Sequence, residues 1–140
     1  RGLAAIAPSL GACMAEHARR HGVPGDVVAP VPLHPRRLRE RGYNQAALLA
    51  QEIGRILEMP VQPRLLERSS FHSPQAGIAS RTARAANVRG AFRCDGTLDG
   101  RRVLLIDDVC TTGATLNACA QALREAGAGT VIGLAFAHEL

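Results

Sequence analysis

Asp107 and Asp108 stand side by side at the end of an apolar run, and Thr111, Thr112 and Thr115 follow around Gly113 and Ala114 in the stretch VLLIDDVCTTGATL. Adjacent carboxylates accept hydrogen bonds from neighbouring hydroxyls, as on a ribose, or hold Mg²⁺ indirectly through water. Threonine hydroxyls, a glycine that lets backbone approach a ligand, and the free N–H groups of a helix start suit a phosphate monoester. The two halves together describe a loop shaped for a sugar phosphate. Spacing excludes the other common phosphate motifs. A Walker A loop needs a lysine and the chain has none, GxGxxG is absent, and a DxD phosphatase needs its second aspartate one position later. A purely structural alternative makes Asp108 a helix cap with Thr115 in the first turn. It accounts for one acid and one threonine, not for the whole set.

A second concentration of chemistry lies in PLHPRRLRERGYNQ at 32–45, with Arg36, Arg37, Arg39 and Arg41. All 17 basic residues of the chain are arginine, which removes Schiff-base chemistry and a lysine base. A phosphate held by a cationic side chain is then held by a guanidinium fork, which binds its oxygens in pairs. From His34 to Arg93 there are eleven arginines against four glutamates, a local excess of seven positive charges. A solvated basic surface is one account of this excess and a polyanionic ligand is the other. His34 reads as structural, and Asn44 and Gln45 as positioning the loop or starting the helix after it.

Positioning these groups requires a scaffold. Val103 to Ile106 is continuously apolar, as in a central parallel strand, and ligands in such sheets sit beyond the strands' carboxyl ends. The periodicity predicts helices over 3–20, with Leu3, Ile6, Ala7, Leu10, Cys13 and Met14 facing inward, and from Ala46 to Leu57. It predicts a third from about Thr115, with Leu116, Cys119, Ala120 and Leu123 inward, closed by Gly127 and Gly129. Strands are expected at 27–31, at Val61–Leu66 on an edge because of Pro63, at 91–94, 103–106 and 130–136. The stretch 32–45 reads as an irregular connection, and 67–90 has no sustained period, which in a compact domain usually marks function or mobility. Alternating strands and helices argue for an α/β fold with a mostly parallel sheet covered on both faces.

The 140 residues are one domain's worth of chain, 46% apolar and 21% charged, and no apolar run approaches the ~20 residues that span a bilayer. A soluble, cytoplasmic protein without membrane insertion is expected. Cys13, Cys94, Cys110 and Cys119 form no CxxC pair, so they read as thiols in a reducing compartment rather than a zinc site or a disulfide scaffold.

The stretch 103–116 resembles the phosphoribosyl pyrophosphate signature of type I phosphoribosyltransferases: apolar residues, two acids, then TTGAT. That resemblance implies Asp107 and Asp108 on the ribose 2′ and 3′ hydroxyls, and Thr111, Thr112, Gly113, Ala114 and Thr115 on the 5′-phosphate. PVPLHPRRLRERGYNQA at 30–46 and SPQAGIASRTARAANVRGAF at 73–92 are similar to the ComF competence-protein family, over most of the chain from about Val27. The family likeness implies pyrophosphate bound by Arg36, Arg37, Arg39 and Arg41. It also implies a flexible hood loop, residues 68–90, contributing Gln75, Arg81, Arg84 and Asn87, and Mg²⁺ as cofactor. Members of that family begin with a four-cysteine zinc-binding segment and an extra strand. Residues 1–140 are therefore read as a single phosphoribosyltransferase-like domain lacking both.

The expected chemistry is magnesium-assisted displacement of pyrophosphate at the ribose anomeric carbon, linked to DNA uptake or the use of imported DNA. The alternatives are a non-catalytic accessory protein that binds single-stranded DNA or a helicase or competence partner, and a phosphoribosyl pyrophosphate sensor. A homodimer is among the expected assemblies. The chain has one tyrosine, three phenylalanines and no tryptophan, which counts against stacking of a nucleobase or of single-stranded DNA.

Overall fold

The structure, a computed structural model, describes residues 2–68 and 90–138. In chain order the elements are α1 (Gly2–Arg20), β1 (Val27–Pro30), α2 (Pro35–Arg41), α3 (Gln45–Leu57), β2 (Leu66–Arg68), β3 (Phe92–Cys94), β4 (Arg102–Cys110), α4 (Ala114–Glu125) and β5 (Thr130–His138). Strands β1, β4 and β5 form a parallel sheet in that order, and β2 pairs with β3 as a separate antiparallel ribbon.

Successive side chains of a strand point to opposite faces, and this chain fills both faces with apolar groups. Val27, Ala29, Val103 and Leu105 pack with Ala118, Cys119, Ala122 and Leu123 of α4 and with Leu66 and Phe92 of the ribbon. Val28, Leu104 and Ile106 pack on the other face with Ala7, Met14 and Ala15 of α1 and Leu49, Ala50 and Ile53 of α3. β4 lies between β1 and β5, and Val103 to Ile106 have no exposed surface at all. Burying each such side chain contributes about 1.5–3 kcal/mol. The expectation of an α/β fold with a parallel sheet covered on both faces holds.

Several boundaries differ from the sequence reading. α1 buries Ala7, Gly11, Met14, Ala15 and Ala18, while Ile6 and Cys13 are exposed. The reason is close approach: a Cβ on Gly11 would collide with the Glu52 side chain of α3, so the contact face is built of small residues, not the largest apolar ones. Within 32–45 a short helix, α2, forms between Pro35 at its first position and Gly42 in the left-handed conformation (φ +83°), the usual start and stop residues. Val61 makes only an isolated parallel bridge to Val28, and the paired strand lies later, at Leu66–Arg68. On α4 the buried residues are Ala118, Cys119, Ala122 and Leu123, with Ala120 half-buried.

At the amino ends of the strands, opposite the site described below, the Asp26 carboxylate accepts hydrogen bonds from Arg102 N (2.8 Å), Nε (3.1 Å) and Nη2 (3.0 Å). These bonds hold the Asp26 carboxyl down to about 2. A carboxylate more acidic in the native state than in the unfolded chain stabilises above its unfolded value, near 3.9, and loses that contribution as pH falls through about 2. Asp26→Asn is therefore expected to melt below the wild type at pH 5–7, with the gap closing toward pH 2. A gap that persists unchanged in acid would assign it to packing.

Candidate functional site

β4 does not stop at its first charge. Its ladder to β5 continues through Asp107↔Ala135, Val109↔Ala137 and Cys110↔His138, leaving out Asp108. The Asp108 amide instead turns back and donates to Asp107 Oδ1 at 2.9 Å. A regular strand would send adjacent side chains to opposite faces, whereas here Asp107 and Asp108 line one crevice of about 400 Å³. Burial first, then a side-chain hydrogen bond with Asp108 and the Asp108 charge, push the Asp107 carboxyl up to about 7.

The crevice opens beyond the carboxyl ends of β1 and β4, where Val31, Pro32 and Leu33 form part of its wall. Thr111 and Thr115 also line it, and Gly113, Thr111 and Thr115 border a narrower recess beside it together with Cys110. Gly113 adopts φ +82° at the position before α4 and so supplies no side-chain cap to the helix. The Ala114 amide donates to Thr112 Oγ1 at 3.3 Å. Asp108 is thus no helix cap, which removes the structural alternative for this loop. His138 Nε2 donates to the Thr111 carbonyl at 3.0 Å and ties the end of β5 to the threonine loop.

Of the four arginines at 36–41, the helix divides the set. Arg37 and Arg41, one turn apart, line the crevice. Arg36 lies outside it, 3.8 Å from Glu40, and Arg39 is exposed away from the lining residues. His34 is structural: its Nδ1 accepts from the Arg36 amide at 3.1 Å and caps α2. Asn44 does both things expected of it. Its Oδ1 accepts from the Ala46 amide (3.1 Å), capping α3, and its Nδ2 donates to the Val31 carbonyl (3.0 Å), fixing the crevice wall. Gln75, Arg81, Arg84 and Asn87, named for a hood loop, lie outside the described residues.

Two participants carry no local sequence signal. Arg68 lines the crevice from the β2 side, its guanidinium carbon 4.8 Å from the centroid of the Phe92 ring. His138 is the other. Only the fold brings either to the loop. The Cys119 thiol, buried beneath, is pushed up to about 12 by burial and by Asp107, so it stays protonated. Cys110 is half-buried and Cys13 exposed.

Among the described residues no cluster of three or more His, Cys, Asp or Glu could hold a metal by itself. The adjacent carboxylates and threonine hydroxyls are hard oxygen donors that fit Mg²⁺, which is commonly held by one or two carboxylates with water and substrate phosphates. No described helix is long and apolar enough to cross a membrane.

The profile of the phosphoribosyl transferase domain matches residues 41–139, including the whole of the Asp–Thr loop. The chain belongs to the phosphoribosyl transferase domain family. Within that family it is ComF-like: it is 38% identical over 105 residues to Competence protein F of Haemophilus influenzae, covering 73% of this chain and 45% of the relative. It is 36% identical over 106 residues to the DNA utilization protein YhgH of Escherichia coli K12, covering 76% and 46%. The chain thus spans about half the length of these curated relatives. Glutamine phosphoribosylpyrophosphate amidotransferase from B. subtilis, solved with ADP and GMP, superposes with a TM-score of 0.64 at 24% identity, covering 93% of this chain and 26% of that one. A purine phosphoribosyltransferase from Pyrococcus horikoshii gives 0.58 at 18% identity, covering 93% and 70%. These structures show the type I phosphoribosyltransferase fold.

Proposed function

We propose that the crevice binds phosphoribosyl pyrophosphate together with Mg²⁺, and that the protein is a phosphoribosyltransferase-like component of DNA uptake or of the use of imported DNA. The observation that carries this reading is the gathering of Asp107, Asp108, Thr111, Thr115, Arg37 and Arg41 on one crevice at the carboxyl end of the sheet. Asp107 and Asp108 accept hydrogen bonds from the ribose 2′ and 3′ hydroxyls. The Thr111 and Thr115 hydroxyls and the first-turn amides of α4 after Ala114, whose own amide donates to Thr112 Oγ1, receive the 5′-phosphate, with Gly113 admitting it close to the backbone. Arg37 and Arg41 fork onto the pyrophosphate oxygens.

In the transfer, the bond from the anomeric carbon to pyrophosphate breaks and pyrophosphate leaves with the electron pair. A nucleophile forms the new bond from the opposite face and gives its proton to solvent. Mg²⁺, when bound, supplies charge neutralisation on the leaving pyrophosphate. The residues contribute position and fixed charge, which together account for most of the rate in reactions of this kind.

The DNA association rests on the likeness to Competence protein F and DNA utilization proteins and on exposed Arg36 and Arg39 outside the crevice. Calorimetric titration of the full-length protein with phosphoribosyl pyrophosphate and Mg²⁺ is expected to give saturable binding that weakens when Mg²⁺ is chelated. No heat under these conditions would overturn the proposal. Given binding, pyrophosphate release on adding an amine or nucleobase panel separates a transferase from a sensor.

A further inference from the structure

We infer that His138 is a positioning residue for the phosphate loop: from the end of β5 it holds the Thr111 carbonyl and thereby aims the Thr112 amide at the 5′-phosphate. This deepens the reading of the crevice as a phosphoribosyl pyrophosphate site and rests on it. It adds a residue that lies outside every motif of the sequence.

The first support is register. β4 and β5 run parallel, so both carry their carboxyl ends to the crevice edge of the sheet, and their pairing reaches Cys110↔His138. Thr111 follows at once, which brings the His138 ring to the first residue of the loop. Nε2 stands 3.0 Å from the Thr111 carbonyl oxygen, well inside hydrogen-bonding range. A carbonyl only accepts, so Nε2 carries the proton. Packing does not fix this loop by itself. Thr111 and Thr112 are exposed, and a Cβ added to Gly113 would meet nothing within 4 Å. Hydrogen bonds must therefore set its shape, and His138 supplies one from another strand.

The second support is the geometry of the peptide unit. No peptide bond among the described residues is cis, and in a planar trans unit the carbonyl oxygen and the following N–H point in opposite directions. Fixing the Thr111 carbonyl toward His138 therefore turns the Thr112 N–H to the far side of the loop. Among the described residues that amide has no hydrogen-bond partner, although the Thr112 hydroxyl accepts from the Ala114 amide. His138 lines neither the crevice nor the recess bordered by Thr111, Gly113 and Thr115. The tie thus acts from outside and leaves a free donor for an anion within. A loop already set in its binding geometry avoids the cost of being ordered when the ligand arrives.

Three probes in the presence of Mg²⁺ test this on the full-length protein. Phosphoribosyl pyrophosphate and ribose 5-phosphate carry the 5′-phosphate, and free pyrophosphate lacks it. His138→Phe keeps a ring and removes the donor. It is expected to weaken the first two by about 3- to 10-fold and pyrophosphate by less than about 1.5-fold, the effect of one hydrogen bond on one subsite. His138→Gln sets an amide nitrogen at nearly the reach of Nε2 and is expected to restore most of the affinity, whereas the shorter His138→Asn is not. His138→Asn also serves as the test should His138→Phe fail to fold. Unchanged affinity for both 5′-phosphate probes in the donor-lacking variant would overturn the inference. So would equal weakening of all three probes, or a glutamine variant no better than phenylalanine, since each is the pattern of a merely structural residue. Wild-type protein that binds none of the probes would instead overturn the crevice reading itself, and this inference with it.

Discussion

The double variant Asp107→Asn, Asp108→Asn is expected to bind phosphoribosyl pyrophosphate about 10²–10⁴-fold more weakly than the wild type. Each hydrogen bond to a charged group contributes about 1.5–3 kcal/mol, and the variant replaces both charged acceptors of the proposed diol contact. The pH dependence adds a second signature. A diol donates best to ionised carboxylates, so wild-type affinity should rise with pH and level off above about 7, where Asp107 becomes ionised. In Asp108→Asn alone the neighbouring charge is gone, and that rise should move to lower pH.

The same substitution reports on stability with the opposite sign. Asp107 has its carboxyl at about 7 in the native state, against about 3.9 in an unfolded chain. Between those values the native protein holds a proton that the unfolded chain has released. Stability therefore falls as pH rises from about 4 to about 7, and the loss is complete above 7. Asp107→Asn should melt several degrees higher than wild type at pH 8 and equally at pH 4. Because Asp107 is only partly buried, solvent screening leaves about 1–2 kcal/mol of this effect. A variant that melts higher at pH 8 and binds less separates the carboxylate's cost to the fold from its use to the site. Unaltered binding would remove the pair from the ligand account.

Leu105→Ala is expected to be the most damaging single truncation, costing about 3–4 kcal/mol. Leu105 is completely buried on the central strand, packed between β1, α4 and the β2–β3 ribbon. The void has rigid walls, because strands hydrogen-bonded on both sides cannot collapse into it. Against a typical total of about 5–15 kcal/mol this consumes much of the domain's stability. Urea unfolding should show a lower midpoint with an unchanged slope. Val109→Ala, four residues along the same strand but 43% exposed, should change stability by about 0.5 kcal/mol or less. Equal effects at the two positions would contradict the packing described.

The central strand, α3, α4 and the Asp–Thr loop were legible because hydrophobic period and chemical spacing coincide in them. The charged end of β4 was not, since the apolar run finishes at Ile106 while backbone pairing carries on to Cys110. α2 contains one apolar residue, Leu38, so no period announces it, although Pro35 and Gly42 mark its ends. The inward face of α1 was misjudged at Ile6 and Cys13 because hydropathy rewards large side chains where close helix contact requires small ones. Clustering along the chain drew Arg36 and Arg39 into the candidate site, yet helical rotation puts them outside the crevice. Arg68 escaped notice because its partner Phe92 becomes a neighbour only through strand register.

Helix α2 buries none of its residues and is secured only at its two ends, by the His34 cap and by the left-handed Gly42. Nothing in the interior therefore dictates which side chains line its length. On the proposed reading, selectivity for the anion and competence to fold are encoded in different letters of this chain. The collar of arginines is free to drift, or to be rewritten for another ligand, while the scaffold beneath keeps its shape.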